Sequence, residues 1–274
     1  MKTGINIWTL PSHLTVEESI REAAKIGYDC IELTFNEQGA VSLESTDEEF
    51  LSCRRIAEEA GIAISSLSCA LYWQYSFSSD DPLIREKAMQ VAKAQIDAAK
   101  KLGADTVLIV PGSVDVPFMA DFKAVPYDVV YQRALDAMKK LAPYAEEKQV
   151  TVGLENVWNG FLLSPLETRD FIDKVGSPRI RVYFDVGNIL NYGFPQQWIR
   201  ILGDRICRIH MKDFKKSMGT LHGFCELLEG DVAFDKVMAA LRDIGYDGPL
   251  TGEITVCEGA AERTYAALQR ILDM

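Results

Sequence analysis

Four phrases in the second half of the chain each bring a residue able to ligate a cation to the end of an apolar run. They are Gly153-Leu154-Glu155-Asn156, Phe184-Asp185-Val186-Gly187-Asn188, His210-Met211-Lys212-Asp213 and Gly252-Glu253. Three carboxylates and one imidazole gathered at one place do not all stay ionised easily, because like charges within several ångströms raise each other's pKa. A divalent cation resolves that conflict. An oxygen-rich set with one nitrogen suits Mn²⁺, Mg²⁺ or Co²⁺ and does not exclude Zn²⁺. Taken singly, each residue has a plainer reading. Glu155 alone could be a helix cap or salt-bridge partner. Asp185 could cap the loop that holds Gly187 and Asn188. His210 could be a satisfied core histidine, and Glu253 could pair with a nearby lysine. The joint occurrence on successive strands favours the metal.

Such residues must be carried by elements that bring them together. Strand-like runs cover 3–10, 29–35, 63–70, 106–111, 150–157, 181–186, 206–211 and 250–255. Between and after them, amphipathic helical patterns cover 16–27, 46–61, 82–103, 127–149, 165–175, 196–202, 234–245 and 260–273. Thr15 with Glu18, and Thr46 with Glu49, have the spacing of a capping box. Asp81-Pro82 opens the third helix and Ser164 caps the fifth. Eight βα units predict a parallel sheet with right-handed crossovers, closed into a (β/α)8 TIM barrel, an α/β fold in a single domain over 1–274. A doubly wound open sheet is the other arrangement of such units. The Gly-rich dinucleotide fingerprint that would favour it is missing after the first strand. In a barrel the site lies at the C-terminal ends of the strands, which is where Glu155, Asp185, His210 and Glu253 fall.

The same rim collects other residues. Trp8 ends the first strand, Glu32 lies in the second, and Tyr72 and Trp73 follow the third. Asn156 lies at the end of the fifth, and Trp158 and Asn159 follow it. Aromatic residues at a barrel mouth can stack on a ligand's faces or simply pack the loops. Asn156 and Asn188 could bond a ligand's hydroxyls or orient the carboxylates from behind. His13 and His222 fall in loops and are expected to be solvated, though His222 could reach the mouth of the site.

The six cysteines are scattered without a CxxC pair, which predicts reduced thiols, with Cys30, Cys69 and Cys207 as core fillers. The net charge of −11 argues against a nucleic-acid partner, which calls for a basic surface. The one notable basic cluster is Lys212, Lys215 and Lys216. No apolar run is long enough to span a membrane. The first residues run straight into a strand without a signal peptide's apolar core, so a cytoplasmic location is expected.

At the four ligand phrases, and in Leu228-Glu229-Gly230-Asp231-Val232-Ala233-Phe234, the sequence resembles the xylose-isomerase-like TIM-barrel superfamily over essentially its whole length. It is most similar to the ketose 3-epimerases and the L-xylulose- and L-ribulose-5-phosphate 3-epimerases. The resemblance implies that Glu155, Asp185, His210 and Glu253 bind one divalent metal. It also implies that Glu155 and Glu253 form the acid/base pair, acting through a metal-stabilised cis-enediolate. The substrate would be a small ketose or ketose phosphate, contacted by Asn188, Lys212, Trp8, Trp158, Asn156 and Lys216. Two departures point away from the free-ketose branch. Asn188 stands where that branch has histidine, and Lys216 where it has arginine. Lys212, Lys215 and Lys216 could supply charge to a phosphate, or Lys215 and Lys216 could be a solvated loop face. Members often associate, so a homo-oligomer is possible.

Three rival functions use the same fold. A dehydratase-like lyase, of the inosose dehydratase kind, would share the first proton abstraction. A repair endonuclease resembling the AP endonucleases would want a histidine-rich zinc site and a basic face, which three histidines and the acidic balance disfavour. A non-catalytic sugar-binding barrel would not need the complete ligand set.

Overall fold

A computed structural model describes residues 1–254 and 257–274. The barrel strands are β1 (Lys2–Asn6), β2 (Cys30–Thr34), β3 (Ala63–Ser68), β4 (Thr106–Ile109), β5 (Thr151–Glu155), β6 (Ile180–Asp185), β7 (Ile206–Met211) and β10 (Pro249–Gly252). A short hairpin of β8 (Asp213–Phe214) and β9 (Phe224–Cys225) sits after β7. The barrel order is β1-β10-β7-β6-β5-β4-β3-β2, all parallel, and β1 closes the ring by pairing with both β10 and β2. The expected eight-unit TIM barrel is therefore present.

The helices are α1 (Val16–Ile26), α2 (Asp47–Ala60), α3 (Pro82–Leu102), α4 (Tyr127–Lys148), α5 (Pro165–Val175), α6 (Pro195–Leu202), α7 (Phe234–Asp243) and α8 (Ala260–Leu272). They wrap the ring and bury their apolar stripes on it. Both capping boxes form, at Thr15 with Glu18 and Thr46 with Glu49. Gly27 ends α1 at φ 113°, a left-handed backbone that only glycine adopts without strain. No helix among the described residues is long and apolar enough to cross a membrane.

Several strands are shorter than their apolar runs. The run of the first covers 3–10, but extended structure stops at Asn6. The Asn6 side chain accepts a hydrogen bond from the Trp8 N–H at 2.8 Å and starts a 3₁₀ turn over Ile7–Thr9. The third stops at Ser68, and Ala70–Trp73 forms another 3₁₀ turn. The fifth covers Thr151–Glu155 and the last barrel strand Pro249–Gly252. The expected end of that last strand, Thr255, lies outside the described residues. The β8–β9 hairpin has no counterpart in the sequence reading, because two-residue strands leave no readable alternation.

Apolar side chains fill the layer between sheet and helices. Inside the ring the chemistry is different. Asn6, Glu32, Ser66, Tyr183 and His210, from β1, β2, β3, β6 and β7, are all buried and bonded to one another across the lumen. The register sets this up. Asn6 pairs with Glu32, Glu32 with Ser66, Tyr183 with Glu155, and Asp185 with His210. At the sparsely paired β3–β4 seam, the buried amide of Gln95 on α3 donates to the carbonyls of Leu67 and Leu108, at 2.9 and 3.2 Å.

Candidate metal centre

Glu155 and Asp185 are the last residues of β5 and β6, His210 lies near the end of β7, and Glu253 directly follows β10. One ligand-type atom from each falls within 4.8 Å of the others. Nδ1 of His210 is the hub, at 2.7 Å from Glu253 Oε2, 3.0 Å from Glu155 Oε1 and 3.9 Å from Asp185 Oδ2. The structure thus brings together all four residues that the sequence singled out.

The loop after β6 is built to aim Asp185. Its Oδ1 accepts from the backbone N–H groups of Gly187 and Asn188, at 2.8 and 2.9 Å. That leaves Oδ2 buried, turned into the cluster and without a hydrogen bond. Asn156 brackets the Asp185 peptide, donating to its carbonyl at 2.8 Å and accepting from its N–H at 2.9 Å. Asn188 donates in turn to the Asn156 carbonyl at 2.9 Å. These contacts tie the ends of β5 and β6 together. Gly187 is required there, since a Cβ would meet the Lys212 Cβ at 2.6 Å.

Lys212 lies between two of the carboxylates, 3.1 Å from Asp185 Oδ2 and 3.0 Å from Glu253 Oε1. The sequence reading turns its ammonium towards substrate, and it is also the counter-charge of the cluster. Burial works against the charge on Glu253, but Lys212 and His210 outweigh it and hold that carboxyl below the usual range. Burial pushes the Glu155 carboxyl up to about 7 against the pull of His210 and Lys212. Asp185 is likewise raised by burial. Burial opposes the charge on His210, but Glu32 and Glu253 outweigh it and raise the ring well above an ordinary imidazole.

Glu32 is the residue whose part the sequence did not reveal. Its carboxylate sits 2.7 Å from Nε2 of His210, on the ring edge opposite the cluster. A single acid inside an apolar strand run was the only sign of it.

The wall above the cluster is aromatic. The Trp158 indole donates to the Asn188 carbonyl at 2.8 Å, and its ring packs against Phe214 and Phe224 of the hairpin. Trp8 is 41 % exposed and helps to line a cavity of about 310 Å³ with Lys212, Leu221, Phe224 and Glu253. Asp213 pins the following loop by accepting from the N–H groups of Gly230 and Val232.

Other rim residues lie elsewhere. Lys215 and Lys216 are exposed, and the Lys216 ammonium rests over the Phe194 ring at 5.4 Å. Tyr72 is buried and donates to Gln95 at 2.6 Å, while Trp73 packs edge-on to Phe118. Asn159 donates to the Gly112 carbonyl at 2.7 Å. His13 and His222 are exposed. The cysteines are free, with Cys30, Cys53, Cys69 and Cys207 buried.

The donor set fits a divalent cation. Three carboxylates and one imidazole converge, and one buried carboxylate oxygen among them has no hydrogen bond. Comparison with known proteins gives the family and the fold. The family model described as "Xylose isomerase-like TIM barrel" matches residues 20–273. L-ribulose-5-phosphate 3-epimerase UlaE of Salmonella paratyphi C is 24 % identical over 257 residues, covering 90 % of this chain and 84 % of the relative. D-psicose 3-epimerase of Enterocloster bolteae is 24 % identical over 267 residues, covering 94 % and 84 %. A crystal structure of D-psicose 3-epimerase in the presence of D-fructose superposes with a TM-score of 0.85 at 19 % identity, covering all of both chains.

Proposed function

This chain belongs to the xylose isomerase-like TIM barrel family, and on that premise we propose that it is a divalent-metal-dependent 3-epimerase of a small ketose or ketose phosphate. The observation that carries the reading is the convergence of Glu155, Asp185, His210 and Glu253 at the C-terminal mouth of the barrel. Similarity to epimerases of both free and phosphorylated ketoses supports an isomerase-class enzyme acting on a sugar.

The chemistry follows from these side chains. A proton on the carbon beside a ketone is very weakly acidic until the carbonyl is polarised. The divalent cation, Mn²⁺ being the first choice, would supply that polarisation when held by the four ligands. Glu155 and Glu253, one at each end of the row of ligands around the ring, would serve as the acid/base pair, one taking the proton and the other returning one. Glu155 ends β5 and Glu253 follows β10, and β6 and β7 separate those two strands around the ring. Delivery to the face opposite the abstraction inverts the centre. Trp8 and Trp158 offer apolar faces for the sugar ring or chain, and Lys212 a donor for its oxygens.

The test is proton NMR in D₂O on the metal-loaded protein with a panel of ketoses and ketose phosphates. Metal-dependent deuterium entry beside the carbonyl, with a new epimer, is the expected result. Exchange followed by loss of water would replace this reading with the dehydratase. Failure of the protein to bind any divalent metal would overturn the site itself.

A further inference from the structure

Glu32 lies at the bottom of the cluster, fully buried inside the ring, and both oxygens of its carboxylate are engaged twice. Oε1 receives the Asn6 amide at 2.6 Å and faces Nε2 of His210 at 2.7 Å. Oε2 receives the hydroxyls of Ser66 and Tyr183, at 2.7 and 2.6 Å. The Asn6 amide is itself fixed, because its oxygen accepts from the Trp8 N–H. Its nitrogen must therefore point at Glu32. A carboxylate already receiving three such donors has only acceptor capacity left, so the imidazole donates its Nε2–H. The opposite nitrogen, Nδ1, is then the one that faces Glu155, Asp185 and Glu253.

We propose that Glu32 is a positioning residue for the metal centre. It holds the His210 ring in one orientation and one tautomer, so that the Nδ1 lone pair is presented to a divalent cation. Strands β1, β3 and β6 contribute the groups that anchor Glu32. The barrel lumen is thus a clamp on one ligand, where branched apolar side chains would ordinarily fill the space. The network has a cost that packing alone would not incur, since an acid is buried in the centre of the fold. Orienting a ligand offsets that cost, and removing such a partner typically weakens metal binding roughly 10–100-fold. This inference rests on the metal reading of the site.

The test compares the parent with Glu32→Gln, each stripped by chelation and titrated with Mn²⁺. Free Mn²⁺ is read by its electron paramagnetic resonance signal. The variant is expected to bind roughly 10–100-fold more weakly while retaining its circular dichroism spectrum. A folded variant whose affinity stays within about twofold would make Glu32 a structural acid only. Should the variant fail to fold, the parent decides the matter through long-range ¹H–¹⁵N correlation of its histidines with diamagnetic Zn²⁺ bound. A proton on Nε2 of His210 and none on Nδ1 supports the proposal, and the reverse overturns it. A parent that binds neither ion removes the metal reading, whereas a parent that binds and a variant that binds equally well removes only the role of Glu32.

Discussion

At the scale of single residues the cluster is a charge problem, and Lys212 is its most testable member. Its ammonium touches Asp185 and Glu253, both largely buried. Lys212→Met removes the positive partner and keeps most of the stem. Removing one member of a buried ion pair typically costs 3–5 kcal/mol, and the partial exposure of Lys212 places the expected loss near the lower end, about 3 kcal/mol. Chemical denaturation of the chelated protein should show that loss. Saturating Mn²⁺ should recover much of it, because the cation supplies the missing charge. An equal loss with and without metal would mean that Lys212 acts by packing alone. The four residues of the cluster were legible in the sequence, since type and place at a strand end are both readable along the chain. Glu32 and the double use of Lys212 were not. Their meaning depends on what faces them across the ring, and facing is fixed by register, which no local pattern encodes.

At the scale of elements, the helix starts were the most readable features because their chemistry is local. Thr15 and Thr46 each accept from the backbone of a glutamate three residues on, and the glutamate reaches back. Thr15→Ala and Thr46→Ala should each cost about 1 kcal/mol in equilibrium unfolding. The return contacts hold the Glu18 and Glu49 carboxyls below their ordinary value through hydrogen bonds from the threonine backbone and hydroxyl. A carboxyl lowered by folding gives stability that is complete above its unfolded pKa and lost as pH falls through the lowered one. The double variant Glu18→Gln and Glu49→Gln should therefore lose less stability between pH 7 and acid pH than the parent. An identical pH slope would show that these contacts contribute nothing in solution. Strand ends were less readable, as Asn6 shows. Its side chain turns the backbone before the apolar run finishes, and only the bond to Trp8 reveals it.

For the whole molecule, eight repeats of strand and helix were enough to argue a closed ring, but not the bonds that close it. Closure depends on β1 lying beside β10, with Lys2 opposite Pro249 and Ile5 opposite Gly252. The residues of the proposed metal centre have the same long-range character. They stand on β5, β6, β7 and just past β10, neighbours around the ring but remote in sequence, so the unfolded chain presents no comparable set. A cation that binds only the folded state stabilises it by mass action, by about 2.7 kcal/mol when free metal is a hundred times its dissociation constant. Equilibrium denaturation at increasing Mn²⁺ should show that increment rising with the logarithm of concentration. Asp185→Asn should remove most of it, because its buried oxygen has no hydrogen bond and faces the Lys212 ammonium and the His210 ring inside the cluster. A parent and variant that gain equally would place the bound ion elsewhere on this acidic protein. An increment confined to the parent would tie the stability of the ring to the same four residues that are proposed to carry its chemistry.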